Sequence, residues 1–338
     1  MHTSALKLID SNLPEKWQEI LSDLITDPKE LLQFLELDET KLAFGSGALE
    51  QFSLKVPRPF AGRIRKGDWN DPLLRQVWPD LLEETSGPKD SLDPLSERSF
   101  NPIQGLPHKY HGRALLTAAP YCAVHCRYCF RRHFNYEDNS PSREEWGNVL
   151  KYLAEDTSIE EAIFSGGDPL ALSDRQLAWL IDQVSEISHI STLRIHTRLP
   201  IVIPQRVTSK LIRILTESRL KSVMVVHCNH AQELDQQTKA GLSTLAANGI
   251  IMLNQSVVLS EVNDNPQILI ELSRALFSCD VLPYYLHLPD RVSGTTHFQV
   301  TKGYALEILG EVQRQLPGYL VPTLVQEEAG ESSKTRLV

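Results

Sequence analysis

The chain reads as an α/β protein, a partial TIM-like barrel of six βα units behind an N-terminal helical extension. Two observations predict it. From residue 113 onward, short apolar runs alternate with stretches of helical periodicity six times in succession. Alternation of that kind builds a parallel sheet with helical crossovers. The carboxyl end of each run also carries polar or metal-binding residues, and barrels of this type place their active sites there because the loops converge.

The strands are expected at 113–118, 161–164, 192–196, 222–227, 250–254 and 282–287. The first crossover helix opens on a capping box, Ser142-x-x-Glu145, and runs through Leu153. The next spans 177–187. A third passes through Leu211, Ile212, Ile214 and Leu215, and a fourth ends near Asn248-Gly249. The last two pass through Ile268 and Leu272 and from Tyr304 to Val312. Ahead of the barrel, residues 1 to about 50 show short amphipathic helices. Trp17, Ile20, Leu21, Leu24 and Ile25 recur at helical spacing, as do Leu31, Leu32, Phe34 and Leu35, with a break at Asp27-Pro28. Arg58, Arg63, Arg65 and Lys66 read as a solvated face. Residues 84–107, rich in Pro, Gly, Ser and Asp, read as a linker, so the chain divides into 1–107 and 108–338.

Composition narrows the class. Of 338 residues, 41% are hydrophobic and 23% charged, as in ordinary globular proteins. The net charge of −9 argues against non-specific binding to nucleic acid. Met1-His2-Thr3-Ser4 does not open a secretory signal, and no apolar run approaches the roughly 20 residues that span a bilayer. The expectation is a soluble cytoplasmic protein with reduced thiols.

Three of the five cysteines, Cys122, Cys126 and Cys129, fall within eight residues in the spacing C-x3-C-x2-C. Iron–sulfur clusters are held by closely spaced thiolates, and a [4Fe-4S] cube normally takes four. Three ligands leave one iron open to a small molecule. A structural zinc site needs four closed ligands, and His125 sits awkwardly for that inside the same tight loop. Cys228 and Cys279 stand alone and read as buried small hydrophobes. After the second strand comes Ser165-Gly166-Gly167-Asp168, a glycine pair that lets backbone approach a ligand without a Cβ in the way. The other strands end in His196-Thr197-Arg198, His227 with Asn229 and His230, Asn254-Gln255, and His287 with Asp290.

The cysteine spacing and the Gly-Gly-acid turn together resemble the radical S-adenosylmethionine (SAM) enzymes. The wider pattern is similar to the lysine 2,3-aminomutase family. It includes Lys66 to Val77, Asp93-Pro94-Leu95, Gly105-Leu106-x-His108, Cys129-Phe130-Arg131-Arg132, Pro204 to Thr208, Asn229-His230, Pro283-Tyr284-Tyr285 and His297-Phe298. The match runs from about residue 55 onward and resembles most the short branch that makes β-lysine for elongation factor P. That resemblance implies a [4Fe-4S] cluster on Cys122, Cys126 and Cys129. SAM would lie against Gly166, Gly167 and Asp168, with Tyr128 near its adenine. Pyridoxal 5′-phosphate (PLP) would be held covalently by Lys334, its phosphate on Lys109 and Arg113. The family has a glycine run before this lysine; here it is Gly330-Glu331-Ser332-Ser333. Arg131 would pair with the substrate carboxylate, Asp290 with the distal amine, and Glu327 would stand at the second amine anchor. The implied reaction is the isomerisation of L-lysine to (R)-β-lysine, with an electron donor such as flavodoxin or ferredoxin and a functional link to elongation factor P and its lysyl ligase. The longer enzymes' C-terminal zinc-binding segment is expected to be missing or different. The alternatives are an aminomutase acting on another amino acid such as glutamate, which Asp290 disfavours, and a noncatalytic iron–sulfur protein, which has no use for Lys334 or Arg131.

Overall fold

The computed structural model describes residues 17–38, 46–95, 97–134 and 141–338. Eight strands form one sheet: β1 (Arg113–Ala119), β2 (Glu161–Gly166), β3 (Thr192–Thr197), β4 (Lys221–His227), β5 (Ile251–Val257), β6 (Leu282–His287), β7 (Thr323–Gln326) and β8 (Thr335–Arg336). Their spatial order follows the chain from β1 to β8, and among the described residues the sheet does not close. Strands β1 to β7 are parallel; β8 returns antiparallel to β7. The six expected units are therefore present. The two further strands, of four and two residues, are too short to show an alternating pattern.

Helices Arg143–Glu155, Asp174–Ser185, Ser209–Thr216, Gln236–Ala247, Pro266–Phe277 and Lys302–Gln315 link the strands. The Ser142–Glu145 capping box forms as read, and Ser173–Gln176 forms a second. Each helix turns one apolar stripe inward, such as Leu177, Leu180, Ile181 and Val184. Strand β5 runs on to Val257 because Ser256 and Val257 keep pairing with Leu286 and His287.

The N-terminal region differs in detail. Its helices among the described residues are Trp17–Ser22, Pro28–Phe34, Ser46–Gln51, Arg58–Ala61 and Pro72–Arg75. Ile25 leaves the helical pattern and instead exchanges backbone hydrogen bonds with Val56 at 2.9 and 3.0 Å. The parts of the helical reading on 1–16 and 39–45 lie outside the described residues. Trp17, Leu31, Phe60, Leu73 and Val77 share one hydrophobic core with Leu116, Phe164, Leu193 and Met224 of the barrel. The solvated-face reading fails at Arg63, whose guanidinium is buried and donates to the carbonyl of Ile201 at 2.7 Å and to that of Glu233. It holds for Arg65 and Lys66, which are exposed on salt bridges to Asp68 and Glu36.

Candidate active site

The carboxyl ends of the parallel strands open on one cavity of about 500 Å³. The residues expected to hold cofactor or substrate line it: Cys122, Cys126, Cys129, Tyr128, Gly166, Gly167, Asp168, Lys109, Arg113, Arg131, Asp290 and Lys334, with Glu327; of the polar strand ends, Asn229, His230 and Asn254 do not.

The cysteine loop follows β1 and is braced from behind by the N-terminal region. Arg127, fully buried, donates from Nε to Glu83 at 2.8 Å and to the carbonyls of Phe52 and Ala48. Arg132 reaches the same carboxylate at 2.7 Å. Two guanidiniums flanking Cys129 thus share one buried anion, Glu83, from the short turn Leu81–Glu84. The Arg127 N–H also donates to the Gln76 carbonyl, and the His125 N–H to that of Lys55. The His125 ring stacks on Phe52, with Nδ1 2.7 Å from the Ser53 carbonyl, which turns it away from the thiols. Burial pushes the Cys129 thiol up to about 12, and the Cys122 thiol well above its usual value.

The Gly-Gly-Asp turn is shaped by the protein before any ligand. A Cβ on Gly167 would lie 2.2 Å from the carbonyl oxygen of Tyr121, and Gly166 has φ +112° with the Ala119 carbonyl 2.9 Å from its would-be Cβ. The glycines are needed where the end of β2 presses on the start of the cysteine loop. That is a different reason from the close ligand approach read in the sequence. The Asp168 carboxylate accepts four bonds, from Thr197 Oγ1 (2.6 Å), Leu170 N (3.0 Å), Arg198 N (2.7 Å) and Leu199 N (2.9 Å). Both oxygens are therefore tied to the end of β3.

At the opposite end, the β7–β8 hairpin delivers Glu327 and Lys334. The Lys334 ammonium donates to Glu327 Oε2. The Tyr110 hydroxyl donates to Oε1 at 2.7 Å, and Lys109 Nζ stands 3.7 Å from the same oxygen while donating to the Glu328 carbonyl. Burial raises Glu327, but Lys334, Tyr110 and Lys109 together outweigh it and hold the carboxyl at about 2. Asp290 has the reverse balance. Burial, and then the Glu327 charge, push it up to about 7, and its carboxylate has no hydrogen-bond partner among the described residues. Arg113 lies over the Tyr110 ring at 4.7 Å with no anionic partner among the described residues. The fork of Arg131 is directed at Glu97, with Nε–Oε2 2.8 Å and Nη2–Oε1 2.5 Å, while Nη1 faces Ser165 and Gly166.

Comparison with known proteins bears on this arrangement. The Radical SAM superfamily model matches residues 116–225. The L-lysine 2,3-aminomutase of Escherichia coli is 47% identical over 98% of this chain and 97% of its own length. That of Haemophilus influenzae is 47% identical over 95% of each chain. This chain belongs to the L-lysine 2,3-aminomutase family. The family's Clostridium subterminale member is 31% identical over 94% of this chain and 77% of its own length. Among solved structures, Streptococcus suis SuiB bound to precursor peptide SuiA shows a loose likeness at TM-score 0.49 and 16% identity, over 66% of this chain and 50% of that one.

For a member of the lysine 2,3-aminomutase family, the donor set fits a cluster. No three His, Cys, Asp or Glu side chains among the described residues converge on a single metal ion. That is compatible with a cube, where each thiolate binds its own iron. The other end fits PLP: a lysine, an unpaired arginine and a buried imidazole face one cavity. His287 Nε2 is buried with no hydrogen-bond partner among the described residues. Burial, then the Lys334 charge, pull His287 down to about 3, so the ring is neutral. His227, on the next wall, is likewise held at about 3 by burial and takes a 2.8 Å contact from Gln255. The roles of Glu83 and Glu97 were not legible in the sequence, since each lies in an acidic, loop-like stretch. Arg198 reads in the sequence only as a polar strand end, because its partners Gln76, Cys126 and Glu233 lie far along the chain.

Proposed function

We propose that this protein converts L-lysine to (R)-β-lysine as a radical SAM, PLP-dependent aminomutase. The observation that carries the reading is the single cavity, with Cys122, Cys126, Cys129 and the Gly-Gly-Asp turn at one end and Lys334, Glu327 and Asp290 at the other. When bound, the cluster with SAM supplies a hydrogen-abstracting radical, and PLP supplies a conjugated ring that eases migration of nitrogen.

The chain's own residues do the rest. Cys122, Cys126 and Cys129 hold the cluster, and Gly166, Gly167, Asp168 and Tyr128 form the wall where SAM lies. Lys334 carries PLP covalently. Glu327 accepts a hydrogen bond from Lys334 and so orients its Nζ into the cavity. Arg113 and Lys109 provide cations for the PLP phosphate. Arg131 meets the substrate carboxylate through Nη1 or in exchange for Glu97. Asp290 receives the distal ammonium, which a water-poor cavity cannot leave unpaired. A glutamate side chain would put a further carboxylate beside those of Asp290 and Glu327, which favours lysine as substrate.

Resemblance to the short branch supports free L-lysine as substrate, a cytoplasmic setting, reduction by flavodoxin or ferredoxin, and transfer of the product to elongation factor P by a separate lysyl ligase. No helix among the described residues is long and apolar enough to cross a membrane. The test is anaerobic incubation of cluster- and PLP-loaded protein with SAM, reductant and L-lysine, followed by chiral analysis. (R)-β-lysine is expected. Absence of β-lysine ends the proposal, and (S)-β-lysine overturns the assigned hand.

A further inference from the structure

We infer that Arg198 sets the reduction potential of the cluster by donating a hydrogen bond to one of its sulfur ligands. Arg198 Nη1 is directed at Cys126 Sγ and lies 2.7 Å from the Tyr128 hydroxyl. Its other arm is fixed: Nη2 donates to Gln76 Oε1 at 2.7 Å and to Glu233 Oε2 at 3.0 Å. Glu233 is fully buried, and its other oxygen accepts from the backbone N–H groups of Asn229 and His230. The backbone is fixed as well, because the Arg198 N–H donates to Asp168. An arginine anchored at both ends and only 5% exposed presents one N–H-bearing nitrogen to the sulfur.

The electrostatic consequence follows from placement. The counter-ion Glu233 binds Nη2, on the far side of the guanidinium, so a positive edge faces Cys126. Hydrogen bonds to ligand sulfurs are among the determinants of cluster potential. One-electron reduction adds a negative charge to the cluster, and a cationic donor on a ligand sulfur stabilises that form more than the oxidised one. Arg198 therefore raises the potential and makes the cluster easier to load from a low-potential one-electron donor. The Gly-Gly-Asp motif thereby gains a second role, since Asp168 aims the arginine.

This inference rests on the cluster assignment, and its test separates the two. Arg198→Lys keeps the charge near Glu233 but loses the fork; Arg198→Gln loses both. Each variant and the wild type are reconstituted anaerobically, assayed for iron, and titrated potentiometrically without SAM, reading the reduced cluster by EPR. The expected result is a more negative potential in both variants, larger for Gln, reaching a tenfold change in the reduction equilibrium, or about 59 mV for a one-electron couple. Wild-type potential in variants with full iron overturns the proposal. Loss of the cluster in both variants also overturns it, by assigning Arg198 to assembly. Wild-type protein that binds no cluster would instead remove the assignment beneath it.

Discussion

A methyl group at position 167 would meet three backbone atoms of Tyr121 at 2.2, 2.5 and 2.6 Å, none of which can rotate away. Gly167→Ala is expected to displace the cysteine loop, costing about 1–3 kcal/mol or more, and to lower iron retention after reconstitution. Iron at the wild-type level would count against that packing. Asp290 gives a prediction with two opposite signs. Its carboxyl titrates at about 7 in the fold, raised by burial and by Glu327, against about 3.9 in an unfolded chain. The folded state therefore binds the extra proton between those values. This residue's contribution to stability falls as pH rises from about 4 to about 7, then levels off. In the proposed role the carboxylate receives the lysine ammonium, so affinity should rise with pH through about 7. Asp290→Asn should then raise the thermal midpoint of ligand-free protein at pH of about 8, yet weaken lysine use by about 3–5 kcal/mol. Unchanged lysine kinetics would remove Asp290 from the substrate site.

At the scale of elements, the N-terminal region serves as a brace. Glu83 neutralises Arg127 and Arg132 on either side of Cys129, with all three side chains fully buried. Removing one partner of a buried ion network leaves uncompensated charge. Glu83→Ala should destabilise the protein by about 3–5 kcal/mol and speed iron loss in air, followed as decay of the brown absorbance. A wild-type decay rate would show that the loop is held otherwise. The β7–β8 hairpin, which carries Lys334, is the corresponding element for the proposed PLP site. Lys334→Ala is expected to keep iron and SAM cleavage but lose covalent PLP. Borohydride-trapped PLP mapping to a different lysine would transfer the role.

For the whole molecule, the barrel brings the cysteine loop and the Lys334 hairpin, distant in sequence, to one cavity that Cys228 and Cys279 do not line. Cys228 and Cys279 are buried, with Sγ donating to the carbonyls of His230 at 3.4 Å and Leu276 at 3.1 Å. Replacing Cys122, Cys126 or Cys129 by Ala should abolish bound iron, whereas Cys228→Ala and Cys279→Ala should retain it. Iron lost from either of the latter would break the three-ligand assignment.

The sequence by itself determined the six βα units, because strand and helix periodicities are local and the capping box at Ser142 and Glu145 lies within one turn. It also carried the cysteine spacing and the Gly-Gly-Asp turn, since both are contiguous. The tertiary structure alone decided which charges meet. Glu327 pairs with Lys334 only because a four-residue and a two-residue strand return on each other. Glu97 reaches Arg131, and Glu83 reaches Arg127, across separations of 34 and 44 residues. Arg198 is assembled from Gln76, 122 residues away, and from Cys126, 72 residues away. Pairings over such distances leave no periodic trace, because burial selects them only after the chain has folded.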